Sequence, residues 1–307
     1  MYEFGNRDTS YRQSIQIPRR RPFFLDVRRH APVAPHSAFF VHGMGGWGPI
    51  VLAGVLAGAM LDARAQDGSS RCGAEAMSAG RVVRVIDGRS FVLDDGREIR
   101  LASLEVAPVS DMSAAGQAAQ AVLTSMLAGR EIELRSAAAA PDRYGRTLAY
   151  AFTASERRPV AHAMLATGHA RVGAQIGDPA CVAELLSRER VARTAKIGLW
   201  GDPQYGIMDA GNLAGLVAAR GRFTVVEGKV ASVRESGGTI YVNFGRRWSQ
   251  ALTVTISKRQ ERIFSNAGRS PRALENRRLR VRGWVEVRNG PRIEASRPEQ
   301  IELVEAN

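Results

Sequence analysis

Apolar and polar residues first alternate regularly at residue 81, where Val, Ile and Leu interleave with Arg and Asp at a spacing of two. That period predicts strands over 81–86, 90–94 and 97–104, joined by the turn dipeptides Asp87-Gly88 and Asp95-Gly96. The pattern then changes. Residues 113–127 are Ala-rich and predict a helix, with Gly129 placed to end it. Strands are expected over 131–135 and 147–152, a short helix over 160–167, and a longer helix over 179–196 before Gly198-Leu199-Trp200. Five strands with this placement of helices predict a small barrel of the OB type.

Residues 201–221 are turn-rich with a weak helical pattern and are read as a linker. A second strand-rich unit follows, with strands expected over 223–233, 239–244, 252–257, 277–287 and 291–295. Gly237-Gly238 and Asn289-Gly290 supply turns, and 258–266 is a polar helical stretch. The same order of elements predicts a second OB-like barrel. The fold class expected is therefore mainly β with helices, divided as leader (1–65), N-terminal segment (66–79), first barrel (80–200), linker (201–221) and second barrel (222–305).

Residues 50–61 are an apolar run too short to span a bilayer comfortably. The run ends at Ala63-Arg64-Ala65, a small-x-small cleavage pattern, so residues 1–65 read as a secretory leader with the mature chain starting near Gln66. This predicts an exported protein, periplasmic or secreted, with no membrane span after cleavage. The alternative is an inner-membrane anchor over residues 44–62.

The formal charge is +13 over 307 residues, and it is unevenly placed. Residues 221–307 hold 17 Lys and Arg against 9 Asp and Glu, whereas 66–220 are nearly balanced at 18 against 17. A basic last quarter favours an anionic partner such as nucleic acid. The two cysteines, Cys72 and Cys181, form no CxxC and no Cys/His group with zinc spacing, which excludes a conventional structural zinc site. They either form one disulfide or remain two thiols.

Two segments carry the candidate chemistry: residues 80–108, and Asp142-Arg143-Tyr144-Gly145-Arg146. Arg100 lies in Ile99-Arg100-Leu101, and Arg146 closes the second segment. Together they closely resemble the staphylococcal nuclease family over residues 80–200. The resemblance implies that Arg100 and Arg146 grip a phosphodiester, that Tyr144 lines the nucleotide pocket, and that calcium is the family's metal. It also implies metal-ligand positions at Asp87 and Glu105, with the Val106 carbonyl as a further ligand. Two positions depart from the family pattern. Arg89 stands where the family keeps a calcium-binding aspartate, and Pro108 or Val109 stands where it keeps its proposed general base. Asp111 is the nearest substitute carboxylate. A guanidinium at a ligand position deletes an oxygen and adds repulsion, so no cofactor is expected here and Arg89 is expected to pair with Glu105. His162 and His169 have no metal-ligand spacing and read as helix-surface residues.

In the second unit, Arg278, Arg280, Arg282 and Trp284 alternate with Leu279, Val281 and Val285. Tyr241 points outward from its strand, and Arg246 and Arg247 follow it in a loop with Trp248. Arginines interleaved with aromatics suit single-stranded nucleic acid, through phosphate attraction and base stacking; the alternative is a solvated face or one packed on the first barrel. Three readings remain: an exported phosphate- or nucleic-acid-binding protein with weak or absent calcium-dependent nuclease activity; an active phosphodiesterase with a rearranged site; or a periplasmic structural or interaction module.

Overall fold

The computed structural model describes residues 70–73, 76–109, 113–174 and 178–304. The leader, its cleavage pattern and Asp111 lie outside these residues.

The first barrel is a closed ring of five strands: β1 (Ala76–Asp87), β2 (Ser90–Leu93), β3 (Glu98–Leu101), β5 (Glu131–Ser136) and β6 (Thr147–Thr153), in the order β1-β2-β3-β6-β5. β3 and β6 run parallel, and every other pair in the ring is antiparallel. Phe91, Leu93, Ile99, Leu101, Ile132 and Leu134 fill its interior, because alternate residues of each strand face inward. Ser103 adopts φ 65° and breaks the chain after β3. β4 (Leu104–Glu105) then pairs with β7 (Arg171–Val172) outside the ring. The helices α1 (Ala114–Leu127), α2 (Val160–Ala166) and α3 (Pro179–Ala195) add Leu123, Leu127, Met164, Leu165, Val182 and Leu185 to the core. The Ser113 side chain accepts the Gly116 N–H and caps α1. Cys72 and Cys181 are joined as a disulfide that fastens the first described residues to α3.

The second sheet has eight strands: β8 (Ile207–Asp209), β9 (Phe223–Lys229), β10 (Ser232–Ser236), β11 (Thr239–Asn243), β12 (Thr253–Ser257), β13 (Arg278–Val287), β14 (Pro291–Glu294) and β15 (Ile301–Leu303). Its path is β10-β11-β12-β14-β13-β9-β8, with β15 on β13 and β12 parallel to β14. β9 and β10 are consecutive pieces of one stretch broken at Val230-Ala231. The circuit of pairings therefore returns to the segment it starts from, in the same order as the first barrel. Its core includes Val226, Val242, Val254, Ile256, Phe264, Val281 and Ile293, and α5 (Glu261–Asn266) supplies Phe264.

Residues 201–221 are not a free linker. They contain β8, which runs parallel to β9, and α4 (Leu213–Ala218), whose Leu216 is buried in the second core. The sequence hides this strand because three residues are too few to establish an alternation of their own.

Among the described residues no helix is long and apolar enough to cross a membrane. The first barrel and the second sheet belong to one compact unit, and a buried ion-pair network joins them. Arg282 of β13 donates to both carboxylate oxygens of Glu189 on α3, each at 3.0 Å, and to Glu302 of β15. Arg193 of α3 bridges Glu189 and Glu302 at 3.1 Å. Burial opposes the Arg282 charge, but the Glu189 and Glu302 carboxylates outweigh it and hold its pKa above the ordinary value. Burial likewise opposes the Glu302 charge, yet Arg282 and Arg193 bring that carboxyl down to about 2.

Candidate functional site

The tight β1–β2 turn places Arg89. Its backbone N–H donates to Asp87 Oδ1 at 2.8 Å, and Gly88 lets the turn press on α1, since a Cβ there would lie 2.6 Å from the Ala119 Cβ. The Arg89 side chain runs to β4, where Nη1 donates to Glu105 at 2.6 Å and to the Leu104 carbonyl at 2.7 Å. Both side chains are largely shielded from solvent. The expected partnership of Arg89 with Glu105 is thus present, and it engages one of the positions that the resemblance assigned to metal ligands. Asp87 and Glu105 are both turned to Arg89, and Glu105 also sits across the β4–β7 ladder from buried Arg171. Among the described residues no three His, Cys, Asp or Glu side chains gather as a metal group.

Arg100 stands in the middle of β3, between Ser90 of β2 and Leu148 of β6. It is half-buried, and among the described residues it has no ion pair within 4 Å. Burial, followed by the charges of Arg89 and Arg146, pulls its pKa below the ordinary guanidinium value. Arginine nevertheless stays charged across the physiological range.

Arg146 is held differently. Its Nε and Nη2 donate to Asp142 Oδ2 at 2.9 and 2.7 Å, and Asp142 Oδ1 accepts the backbone N–H groups of Tyr144 and Arg146. These bonds, led by the Arg146 side chain, lower the Asp142 pKa to about 2. Gly145 takes φ 79°, so the loop turns sharply enough for Asp142 to reach Arg146. Tyr144 is exposed, with the Arg143 and Arg146 guanidinium groups 4.8 and 4.9 Å from its ring centre. The arrangement is a cluster of Arg89, Arg100 and Arg146 in which mutual repulsion is relieved by any anion that enters, and guanidinium forks match phosphate oxygens.

Beside this cluster lies a cleft of about 420 Å³ whose lining includes Asp87, Arg89, Glu105, Tyr205, Arg222 and Trp284. Trp284 belongs to the second sheet, is half-exposed, and packs edge-on against Phe223 at 6.2 Å. Tyr205, Arg222 and Phe223 were missed from the sequence because they lie in and just after the stretch read as a linker. The only local cue was Phe223 next to Arg222, since Tyr205 comes 17 residues earlier and meets the arginine only in space.

The rest of the basic stripe does not face a ligand. Arg282 is 1% exposed within the ion-pair network, and Arg280 pairs with Glu227 at 2.6 Å and Glu302 at 3.4 Å. Arg278 is more open but also pairs with Glu227, at 2.8 Å. Alternation along β13 correctly separates the core side from the other side, but on that other side Arg282 meets Glu189 of α3 and Arg280 meets Glu227 and Glu302, while Arg278 and Trp284 stay exposed. Tyr241 and Arg246 line a separate groove on the second sheet, which Arg247 does not line. His162 faces Glu184, and His169 contacts Thr167; neither lines the arginine cleft.

The comparisons with known proteins agree with the first barrel. The family model described as staphylococcal nuclease homologue matches residues 99–202. The chain is 33% identical over 135 residues to Protein ParB of Escherichia coli, an alignment covering 40% of this chain and 73% of that protein. With the closed five-strand ring and the placement of Arg100 and Arg146, these matches show that the chain belongs to the staphylococcal nuclease family.

Proposed function

We propose that this chain is an exported protein whose first barrel binds the phosphodiester backbone of nucleic acid through Arg100 and Arg146 without calcium, and whose calcium-dependent nuclease activity is weak or absent. The observation that carries this reading is the Arg89 side chain, 2.6 Å from Glu105 and 2.7 Å from the Leu104 carbonyl. Calcium requires about six to eight oxygen ligands. Here both carboxylates at the ligand positions accept hydrogen bonds from Arg89, Asp87 from its backbone N–H and Glu105 from its guanidinium, which sets a fixed positive charge against Glu105. These residues do not fit the ion.

What remains is electrostatic binding. A phosphodiester entering the cluster receives the fork of Arg100, which has no ion pair among the described residues, and hydrogen bonds from Arg146 oriented by Asp142. Tyr144 offers an exposed ring for a base or sugar. The residues at the general-base position, Pro108 and Val109, have no proton-accepting side chain, and general-base help is worth about a hundredfold or more in rate. Export is supported by the apolar run before Ala63-Arg64-Ala65 and by the disulfide, which persists in oxidising compartments.

The test is calorimetric titration with a phosphorylated dinucleotide in excess chelator. Arg100→Ala is expected to weaken binding at least about tenfold, because a charged hydrogen bond is worth about 1.5–3 kcal/mol. Unchanged affinity in that variant sinks the reading.

A further inference from the structure

We propose that the second barrel carries its own binding groove for single-stranded nucleic acid, outside the residues matched by the family model and distinct from the Arg100–Arg146 cluster. The groove has a volume of about 580 Å³. Its lining includes four arginines (Arg234, Arg246, Arg288 and Arg292), two aromatics (Tyr241 and Trp248), and no carboxylate residue. This composition is unusual in a protein whose other arginines are so often paired.

The sheet builds the groove directly. The β10–β11 register sets Arg234 beside Tyr241 and Ser232 beside Asn243, and β12 continues the same face with Thr253 and Thr255. The parallel β12–β14 pairing then adds Arg292 next to Thr253. The floor is polar, internally satisfied and recessed. Thr253 Oγ1 donates to Asn243 Oδ1 at 3.1 Å, Asn243 Nδ2 donates to Ser232 Oγ at 3.3 Å, and Asn243, Thr253 and Thr255 are buried.

Two loops form the walls and brace one another. At Gly290 a Cβ would lie 2.9 Å from the Trp248 carbonyl oxygen and from the Ser249 Cα, and its φ of 141° is one that side chains rarely adopt. The β13–β14 turn is therefore pressed against the Trp248 loop, and Arg288 and the exposed Trp248 line the same groove.

Two of the four charges are free to act. Arg292 pairs with Glu286 at 2.7 Å, and Arg288 lies 4.0 Å from the same carboxylate. Among the described residues Arg234 and Arg246 have no ion pair within 4 Å, whereas Arg280 and Arg282 are fully committed to carboxylates. Cations along a groove with two rings on its surface match a polyanion that also carries flat faces to stack. In barrels of this strand order the second and third strands, with the turn between the fourth and fifth, form the usual binding face, and here they are β11, β12 and the Arg288–Gly290 turn. An acidic polypeptide would use the arginines but would leave the rings idle.

The experiment measures binding of the full chain to a fluorescent oligothymidylate across a salt series, in wild type and in an Arg100→Ala background. Trp248→Ala and Tyr241→Ala are expected to weaken binding at least about tenfold with little change in salt slope, and Trp248→Phe to keep most of it. Arg234→Gln with Arg246→Gln is expected to lower the log–log slope by about 0.7 for each phosphate no longer neutralised. These effects should appear in both backgrounds, so failure of the first-barrel reading leaves this test intact. If the aromatic variants are silent and oligoglutamate competes as well as the oligonucleotide, the groove is an acidic-polypeptide surface and the proposal is overturned. If all the groove variants bind as wild type does, it is overturned as well.

Discussion

Arg282→Met is expected to lower the stability of the chain by about 3–5 kcal/mol, because it leaves a buried carboxylate without its main partner. Glu189 is fully buried, and in the native protein it accepts two bonds from Arg282, one from Arg193 and one from the Val172 backbone N–H. After the substitution only Arg193 and one N–H hydrogen-bond to Glu189, with buried Arg171 as a further nearby charge. Adding Glu189→Gln should recover part of the loss: the amide oxygen still accepts from Val172, while the unpaired charge is gone. Urea unfolding of the two single variants and the double variant measures this coupling directly. A loss below about 1 kcal/mol for Arg282→Met would show that the network contributes little. Because Glu189 lies on α3, which packs on the first barrel, and Arg282 in the second sheet, the wild type is also expected to unfold in one transition. Two separate transitions in the variant would identify the network as what couples the two parts.

The second large effect is expected from the disulfide. Cys72 and Cys181 are 109 residues apart, and a link closing a loop of about 100 residues restricts the unfolded chain by about 4–5 kcal/mol on the chain-entropy account. Both cysteines are buried, so the pair is also part of the packing. Cys72→Ala with Cys181→Ala is expected to lose about 2–5 kcal/mol in urea unfolding, and reductant should do the same to the wild type once it is unfolded. An unchanged midpoint would mean that the N-terminal segment is held by other bonds, such as those of Ser70 and Arg71 to Glu184.

Much of the first barrel was legible because its signals are local. Asp87-Gly88 and Asp95-Gly96 mark the hairpins, and Ile99-Arg100-Leu101 fixes which face Arg100 takes. The charges of Arg89 and Glu105 anticipate their partnership once both are placed at one site. The second barrel was legible in its strands but not in its surroundings. A period of two along β13 says that Arg280 and Arg282 share a face, yet nothing local says that Glu189, 93 residues away in sequence from Arg282, waits opposite. β8 and β15, three residues each, are held by neighbours rather than by propensity and leave almost no pattern. The groove was half visible: Tyr241 and Arg246 could be named, but Arg234, Arg288 and Arg292 join them only through strand register and the packing of two loops.

If the Arg89 guanidinium stands in for the metal, as we propose, the first barrel binds nucleic acid without calcium and cleaves it poorly. The most direct measurement follows both affinity for single-stranded DNA and its cleavage as free calcium is raised from excess chelator into the millimolar range, on wild type and on Arg89→Asp. Wild-type affinity is expected not to respond to calcium, and cleavage is expected to stay near background. No large calcium-dependent rate is expected in Arg89→Asp, which regains one ligand but not a general base. Calcium-dependent cleavage by the wild type, abolished by chelator, would contradict this reading of Arg89.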